Sequence, residues 1–365
     1  MKLSEITSFL ETFAPLDWQE DYDNSGLIVG RLNQEINQAL ISLDCTEAVV
    51  DEAIQAGCNL IISHHPIVFK GMKRFNEANY IERVISKAIK HDIALYAIHT
   101  NLDNIQLGVN QKIMERLGVK KPLILSPKEH ILKKLIVFVP KTHASQLRDS
   151  LFTAGAGNIG NYSECSFNVQ GTGTFLPDEK AQPSLGTIGV REEVQEVSIE
   201  VIYPKYLERK LLIALFENHP YEEVAYDIYS LSNSYQEVGA GMIGNLTDAL
   251  SAHDFLSFLK EKMHVSVIRH TQELNKPIQR IAVCGGAGSF LLKQAIRAGA
   301  DAFISADFKY HEFFDAENKI MIADIGHFES EQFTQHLLLE TIQKKFPNFA
   351  IRITIENTNP VKYYF

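Results

Sequence analysis

The stretch "AIQAGCNLIIS", residues 53–63, joins the end of a predicted helix to a predicted buried strand. Apolar residues recur near helical spacing from Thr46, a possible N-cap, to Gly57, a residue type that commonly ends helices. The following "NLIIS" (59–63) is continuously apolar, as is typical of a parallel strand with both faces covered. A β-rich run, "ALISLD" (39–44), precedes the helix, so the region predicts an α/β fold.

The second half of the chain repeats this pattern. "AIRAGADAFIS" (295–305) matches residues 53–63 at a constant offset, with Ala, Ile, Ala, Gly, Ile and Ser identical. It follows a strand and a glycine-rich turn in "IQRIAVCGGAG" (278–288). Internal duplication explains the match economically, and the shared composition of βαβ units is the alternative explanation.

Two histidine–acid pairs extend the match. His99 and Asp103 end a predicted buried strand at residues 93–103, and they align with His327 and Glu331 at one constant offset. The same residue types at the same spacing favour duplication over chance.

A different pattern lies between the copies. Two strand–helix–strand series predict an inserted ferredoxin-like α+β domain at residues 126–233, between core segments 1–125 and 234–365. One of its strands, residues 194–204, alternates strictly between apolar and other residues. The apolar face of that strand comprises Val197, Ile199, Val201 and Tyr203.

Composition narrows the class of protein. The 365 residues, 45% hydrophobic, suffice for two or three domains with a substantial core. A net charge of −10 disfavours a nucleic-acid binder. The four cysteines form no C-x-x-C pair, which indicates reduced buried thiols. The N-terminus lacks a signal-peptide core, and no apolar run approaches the roughly 18 residues that span a bilayer. We therefore expect a soluble, cytoplasmic protein.

Potential metal ligands follow three of the predicted strands. In an open α/β sheet, functional groups collect beyond the carboxyl ends of the strands. The residues at these ends are His64 and His65, His99 and Asp103, and His327 and Glu331. Imidazole and carboxylate without thiolate suit zinc, manganese or iron. A packing role in the core is the alternative for each histidine.

The ligand types predict a two-metal site. His64 and His65, adjacent on an extended strand tip, are expected to point in opposite directions and so to serve two ions. Asp103 and Glu331 could each bridge two ions, and a two-metal site can activate a water molecule for hydrolysis. The second copy has Ala306 and Asp307 in place of the two histidines, so we expect no ligand there.

Two loops have two possible roles each. "DYDNSGLIVG" (21–30) is either plain turn chemistry or a loop folded over the site. "CGGAGSF" (284–290) is either a tight turn with close backbone packing or a phosphate contact ahead of a helix.

Several motifs together resemble the NIF-three-like family, whose members are commonly labelled GTP cyclohydrolase type 2 homologues. These motifs are "DNSGLIVG", "ISHHPIVF", "HTNLD", "CGGAG", "ADAFISADFKYHE" and "DIGHFESE", and the resemblance covers the whole chain. The inserted segment resembles that of longer bacterial members, in which it is similar to PII signalling and CutA-type domains.

The resemblance implies a duplicated α/β fold with two divalent ions per chain, of which zinc is the first expectation and manganese or iron the alternatives. The implied ligands are His64, His65, Asp103, His327 and Glu331. His99 would lie beside the site, with its role as a ligand left open. It also implies a homohexamer, a trimer of dimers whose sites face an enclosed cavity.

Two functions follow from these expectations. The first is a metal-dependent hydrolase acting on a nucleotide-like, phosphoester or amide substrate through an activated water. The second is a non-catalytic metal or ligand sensor, with a small effector bound at the PII-like insert. A DNA-binding adaptor is a third class, which the net charge disfavours.

Overall fold

The computed structural model describes residues 1–364 of the chain. It contains two compact units, one formed by Met1–Pro127 with the segment that begins at Glu237, and one formed by Lys128–Gln236. No helix among the described residues is long and apolar enough to cross a membrane.

The elements alternate between strands and helices along most of the chain. The strands are β1 (Gly26–Val29), β2 (Gln38–Ser42), β3 (Leu60–Ser63), β4 (Ala94–Ala97), β5 (Leu123–Lys128), β6 (Leu132–Pro140), β7 (Phe167–Phe175), β8 (Glu192–Pro204), β9 (Tyr226–Leu231), β10 (Tyr235–Leu250), β11 (Arg269–His270), β12 (Ile278–Ala287), β13 (Ala302–Ala306), β14 (Met321–Asp324) and β15 (Ala350–Ile353). The α-helices are α1 (Leu3–Phe13), α2 (Glu47–Ala56), α3 (Tyr80–Lys90), α4 (Thr100–Asp103), α5 (Val109–Arg116), α6 (Ala144–Thr153), α7 (Glu208–Asn218), α8 (Ala252–Lys262), α9 (Leu292–Arg297), α10 (His327–Glu331) and α11 (Thr334–Lys345). Short 3₁₀ helices cover Leu16–Trp18, Lys205–Leu207, Ser289–Leu291 and Tyr310–Ala316.

The first unit contains two sheets, each with three adjacent parallel strands at its centre. The first sheet has the order β1-β4-β3-β2-β15, in which β2, β3 and β4 are parallel. The second has the order β11-β14-β13-β12-β10-β5, in which β12, β13 and β14 are parallel. An antiparallel strand lies beside β4 in one sheet and beside β14 in the other. The mixed α/β class predicted from the sequence is confirmed.

The register of the first sheet brings the strand ends together. Ser42 pairs with Ser63, and Ser63 pairs with Ala97. The residues that follow β2, β3 and β4 therefore emerge at one edge of the sheet.

The parallel strands are buried on both faces. Ile41, Ile62 and Ile304 belong to a core shared by the two sheets, whereas Leu40 and Phe303 face outer clusters beneath helices. Strands covered on both sides are continuously apolar, which explains the unbroken apolar runs in the sequence.

Helix α2 has the termini predicted from the sequence. The Thr46 hydroxyl accepts a hydrogen bond from the Val49 amide, and Gly57 ends the helix in the left-handed region with φ 72°. Both features follow the general preferences for helix caps.

The prediction of a strand through residue 103 is wrong, because β4 ends at Ala97 and Thr100–Asp103 form a helical turn. The Asp103 amide donates to the His99 carbonyl at 3.1 Å. Asp23 accepts a hydrogen bond from the Thr100 amide at 3.0 Å and thereby caps the turn.

The unit Lys128–Gln236 has the element order β6-α6-β7-β8-α7-β9 and one antiparallel sheet in the order β7-β8-β6-β9. Its core lies between this sheet and the two helices. The four residues predicted for the apolar face of β8 are buried: Val197, Ile199, Val201 and Tyr203.

Candidate metal centre

Four histidines meet at the carboxyl ends of the parallel strands. His64 and His65 follow β3, His99 follows β4, and His327 begins α10 directly after β14. The ring centroid of His65 lies 4.9 Å from that of His64 and 5.3 Å from those of His99 and His327.

Each of these imidazoles is held through its Nδ1 atom. The partners of Nδ1 are the Ile98 carbonyl for His64 at 2.8 Å, Asp44 for His65 at 2.8 Å, Asp23 for His99 at 2.8 Å and Asp307 for His327 at 2.7 Å. Because carbonyl and carboxylate oxygens only accept, Nδ1 is the donor in all four rings. In a neutral ring this leaves Nε2 with a free lone pair, the arrangement typical of metal-binding histidines.

The Glu331 carboxylate lies among three of the Nε2 atoms. Its Oε2 is 3.0 Å from His65 Nε2 and 3.2 Å from His327 Nε2, and its Oε1 is 3.8 Å from His64 Nε2. Although burial opposes ionisation, these imidazoles hold the pKa of Glu331 well below its usual range. Glu331 is therefore a charged group with Oε2 directed at His65 and His327 and Oε1 directed at His64.

Asp103 lies on the other side of His64, and its carboxylate is poorly satisfied. Asp103 Oδ1 is 3.5 Å from His64 Nε2, and both atoms are buried without a hydrogen-bond partner among the described residues. Burial raises the pKa of Asp103. Buried polar atoms without partners are costly, and a cation bound by both atoms would satisfy them. The residues present thus fit a divalent metal ion.

Six residues in all form the cluster. Two groups of three have ligand atoms within 4.8 Å of one another, namely His64, His65 and His99, and His65, His327 and Glu331. Asp103 belongs to neither group but faces His64. The structure thus brings together His64, His65, Asp103, His327 and Glu331 and adds His99 to them.

The expectation that His64 and His65 point in opposite directions is wrong. The Nε2 atoms of both rings approach the Glu331 carboxylate, although from different oxygens. Strand β3 ends at Ser63, so the alternation of a pleated strand does not extend to these two residues.

Three aspartates that hold the imidazoles were not identified as site residues from the sequence. Asp44 lies two residues beyond β2, at the same sheet edge as His65, so its position after the strand was a usable signal. Asp23 lies in the turn before β1, and its contact with His99 places this turn beside the site. Asp307 was expected to supply no ligand, and in the structure it orients His327.

The glycine-rich end of β12, where the strand register is irregular, is packed against the cluster. The Gly285 amide donates to Asn110 at 2.9 Å, and the Gly286 amide donates to Ser330 at 2.9 Å. Gly286 has φ +64°, and a Cβ atom there would lie 2.4 Å from Glu331 Oε1. These contacts favour the tight-turn alternative, since both amides are occupied and Glu331 requires the absence of a side chain.

A cavity of about 1390 Å³ opens onto the cluster. Its wall includes the C-terminal segment, where Thr358 donates to Asp44 Oδ2 at 2.6 Å and Asn359 donates to Glu329 at 3.0 Å. A cavity of this size admits a small organic molecule beside the histidines.

The fold and the cluster define an α/β protein with histidine and glutamate groups that could hold a metal ion. The profile of the Duf34/NIF3 family (NGG1p interacting factor 3) matches residues 1–360. The chain belongs to this family.

Relatives and solved structures agree with this assignment. A Halalkalibacterium halodurans protein is 41% identical over 324 residues, 88% of this chain and 87% of its own, and a Bacillus subtilis protein is 37% identical over 98% of both chains. Both are named GTP cyclohydrolase 1 type 2 homolog. A crystal structure of a Bacillus cereus protein related to NIF3 has a TM-score of 0.86 and 40% identity, covering 100% of this chain and 99% of that one. The Staphylococcus aureus protein SA1388 has a TM-score of 0.79 and 30% identity at the same coverage.

Proposed function

We propose that the protein is a metal-dependent hydrolase with two divalent ions per chain, zinc first and manganese or iron as alternatives. The observation that carries the proposal is the Glu331 carboxylate, whose two oxygens face different imidazoles. A carboxylate so placed can bridge two ions.

The proposed ligands of the two ions are His64, His65, Asp103, His327 and Glu331. His64 and Asp103 each supply a buried atom that lacks a hydrogen-bond partner among the described residues. His99, held by Asp23, lies next to His64 and His65 and is a further candidate.

Held by these residues, divalent ions would supply an activated water as the nucleophile for hydrolysis. The chain's own contribution is orientation, because the partners of Nδ1 fix the rings before any ion binds. The cavity then holds the substrate, a nucleotide-like molecule, a phosphoester or an amide, beside the cluster.

The test is elemental analysis of protein purified without a chelator or an affinity tag, followed by a hydrolysis screen with GTP, phosphoesters and amides. We expect about two ions per chain and turnover that chelation abolishes and zinc restores. Metal near zero, with no uptake from added zinc, manganese or iron, would refute the proposal.

A non-catalytic sensor is the second candidate, and a cavity in the unit Lys128–Gln236 favours it. This cavity of about 650 Å³ is lined by Phe138, Phe175 and Leu185, and by Glu196, whose carboxylate accepts a hydrogen bond from Tyr221 at 2.9 Å. The outcome that favours the sensor is a full metal content without turnover of any substrate in the screen.

We also propose that the two sheets of the first unit are copies of one ancestral unit and that the other unit is a PII-like ferredoxin-like domain. The equivalent order of the parallel strands supports the first proposal, and the βαββαβ order of Lys128–Gln236 supports the second.

The proposed assembly is a homohexamer, a trimer of dimers. Exposed apolar side chains on the sheet of Lys128–Gln236, among them Phe167 and Val169, suit contact with another copy. Light scattering after gel filtration should give the mass of six chains of 41.2 kDa, and the mass of a monomer would exclude the assembly.

A further inference from the structure

We propose that residues 69–75, here called the basic flap, bind an anionic phosphate group of the substrate at the mouth of the metal cavity. This inference rests on the proposed function, because it concerns the substrate of the same site.

The basic flap lies directly against the histidine cluster. It follows the His64–His65 strand tip and leads into α3. The Phe69 ring packs edge-on against His99, with ring centroids 5.8 Å apart. Lys70, Lys73 and Arg74 line the same cavity as the histidines.

The flap is anchored by hydrogen bonds at both ends, and between them only side-chain packing of Phe69 and Met72 against described residues holds it. Before it, the Asn24 side-chain amide donates to the Val68 carbonyl at 2.7 Å. After it, the amides of Asn76 and Ala78 donate to Glu82 at 3.1 and 2.9 Å. Residues 69–75 make no hydrogen bond to a described residue, and the space around Gly71 is open. A segment without hydrogen bonds of its own can adjust its backbone to a ligand at low cost.

The charges of the flap are available to a ligand. Lys70, Lys73 and Arg74 are exposed, and none of them forms an ion pair with a described residue. The fourth cation of the cavity wall, Arg269, is already paired with the Asp324 carboxylate and lies over the Phe313 ring.

The carboxylates of the cavity are, by contrast, largely engaged. Asp44 and Asp307 hold imidazoles, and Glu82 accepts backbone amides from the end of the flap. The three cations of the flap are therefore charges at the mouth without an ion-pair partner among the described residues, although the whole chain carries −10. Exposed lysine and arginine side chains at a cavity mouth suit phosphate, with which they form charge-assisted hydrogen bonds.

The test is calorimetric titration of zinc-loaded protein with inorganic pyrophosphate and with GTP, and with guanosine as the uncharged comparison. The flap variant is Lys70→Ala/Lys73→Ala/Arg74→Ala. A matched control replaces the exposed cations Lys293, Arg297 and Lys344, which lie outside the cavity wall and form no ion pair with a described residue.

We expect the flap variant to bind pyrophosphate and GTP at least about tenfold more weakly, the sum of three modest ion pairs, while guanosine binding stays unchanged. The control should bind all three probes like the unmodified protein. Three outcomes would overturn the inference. The flap variant could bind the anions as tightly as the unmodified protein, the control variant could lose as much affinity as the flap variant, or the unmodified protein could bind neither anion.

Metal content separates this inference from the proposed function. The flap variant should retain the full number of ions, because the flap contains none of the proposed ligands. If the unmodified protein and all variants lack metal, the proposed function fails. If the unmodified protein has its full metal content and turnover, and the flap variant keeps the metal but loses anion binding, the role of the flap is supported.

Discussion

Two histidine–acid pairs with the same spacing differ in the state of their carboxylates. His99 and Asp103 lie four residues apart in the first sheet's half of the site, as do His327 and Glu331 in the second. Glu331 meets three imidazoles and has a pKa well below its usual range. Among the described residues, His64 alone has a ring nitrogen within 4 Å of the Asp103 carboxylate. Burial raises the pKa of Asp103.

The comparison shows that spacing along the sequence determines where a carboxylate lies, whereas the side chains around it determine whether it is charged. The pair in the second half is electrostatically complete without a metal ion, since three histidines surround Glu331. The pair in the first half is incomplete, since Asp103 Oδ1, like the nearby His64 Nε2, has no hydrogen-bond partner among the described residues. A bound cation should therefore change the first half of the site more than the second.

Replacing Glu331 should have the largest effect. In Glu331→Gln the carboxylate that faces His64, His65 and His327 is lost, so we expect loss of most bound metal and a metal-free protein destabilised by about 1–3 kcal/mol. Elemental analysis and urea unfolding measure the two effects. Glu329→Gln on the same helix, where Glu329 binds Asn359, is the control and should retain its metal. Normal metal content in Glu331→Gln would contradict the assignment of Glu331.

Replacing Asp103 should separate metal binding from stability. Because burial already favours the neutral form of this side chain, Asp103→Asn should leave the metal-free protein as stable as before or slightly more stable. The same change should remove at least one ion per chain, because an amide is a poor substitute for a carboxylate ligand. A large loss of stability in the metal-free variant, measured by urea unfolding, would show that Asp103 is satisfied in some other way.

The aspartates behind the imidazoles should have intermediate effects. In Asp307→Asn, His327 loses an anionic acceptor for its Nδ1–H, and we expect zinc affinity to fall about 10–100-fold. Asp23→Asn makes the same change behind His99. Competition with a chromogenic chelator measures both affinities. An unchanged affinity in Asp23→Asn would place His99 outside the ligand set.

The pH dependence of the metal-free protein should be the smallest effect. Burial alone would lower the pKa of His65 and of His327. Hydrogen bonds to carboxylates outweigh burial and raise the pKa from the ordinary value of 6.5 to about 10 for His65 and about 9 for His327. A folded-state pKa above the unfolded one stabilises the protein below pH 6.5, and the gain disappears as pH rises towards 9 and 10. Urea midpoints of metal-free protein should fall across this range and fall less in His65→Gln.

An exposed histidine provides the control for this experiment. His253→Gln should keep the full pH dependence of the unmodified protein, because His253 lies on the surface away from the cluster. In zinc-loaded protein the urea midpoint should not fall through deprotonation of these histidines, because the metal binds neutral imidazole. Identical slopes for the metal-free unmodified protein and His65→Gln would contradict the raised pKa.

The sequence predicted the parts of the site that depend on local pattern. Apolar runs ending in His64, His65 and His327 are visible in the chain because strand ends and ligands are adjacent in sequence. The partners of the rings are not visible in this way. Asp23 caps the helical turn after His99 from 77 residues away, so the turn itself was predicted as strand.

The link between Asp44 and Thr358 carries a consequence for biosynthesis. These residues are 314 positions apart, yet Thr358 donates to the carboxylate that orients His65. During translation, His64 and His65 emerge from the ribosome long before Glu331 and Thr358 have been synthesised. A nascent or prematurely terminated chain therefore cannot assemble the full cluster, and possession of the complete site marks a polypeptide whose synthesis has passed residue 358.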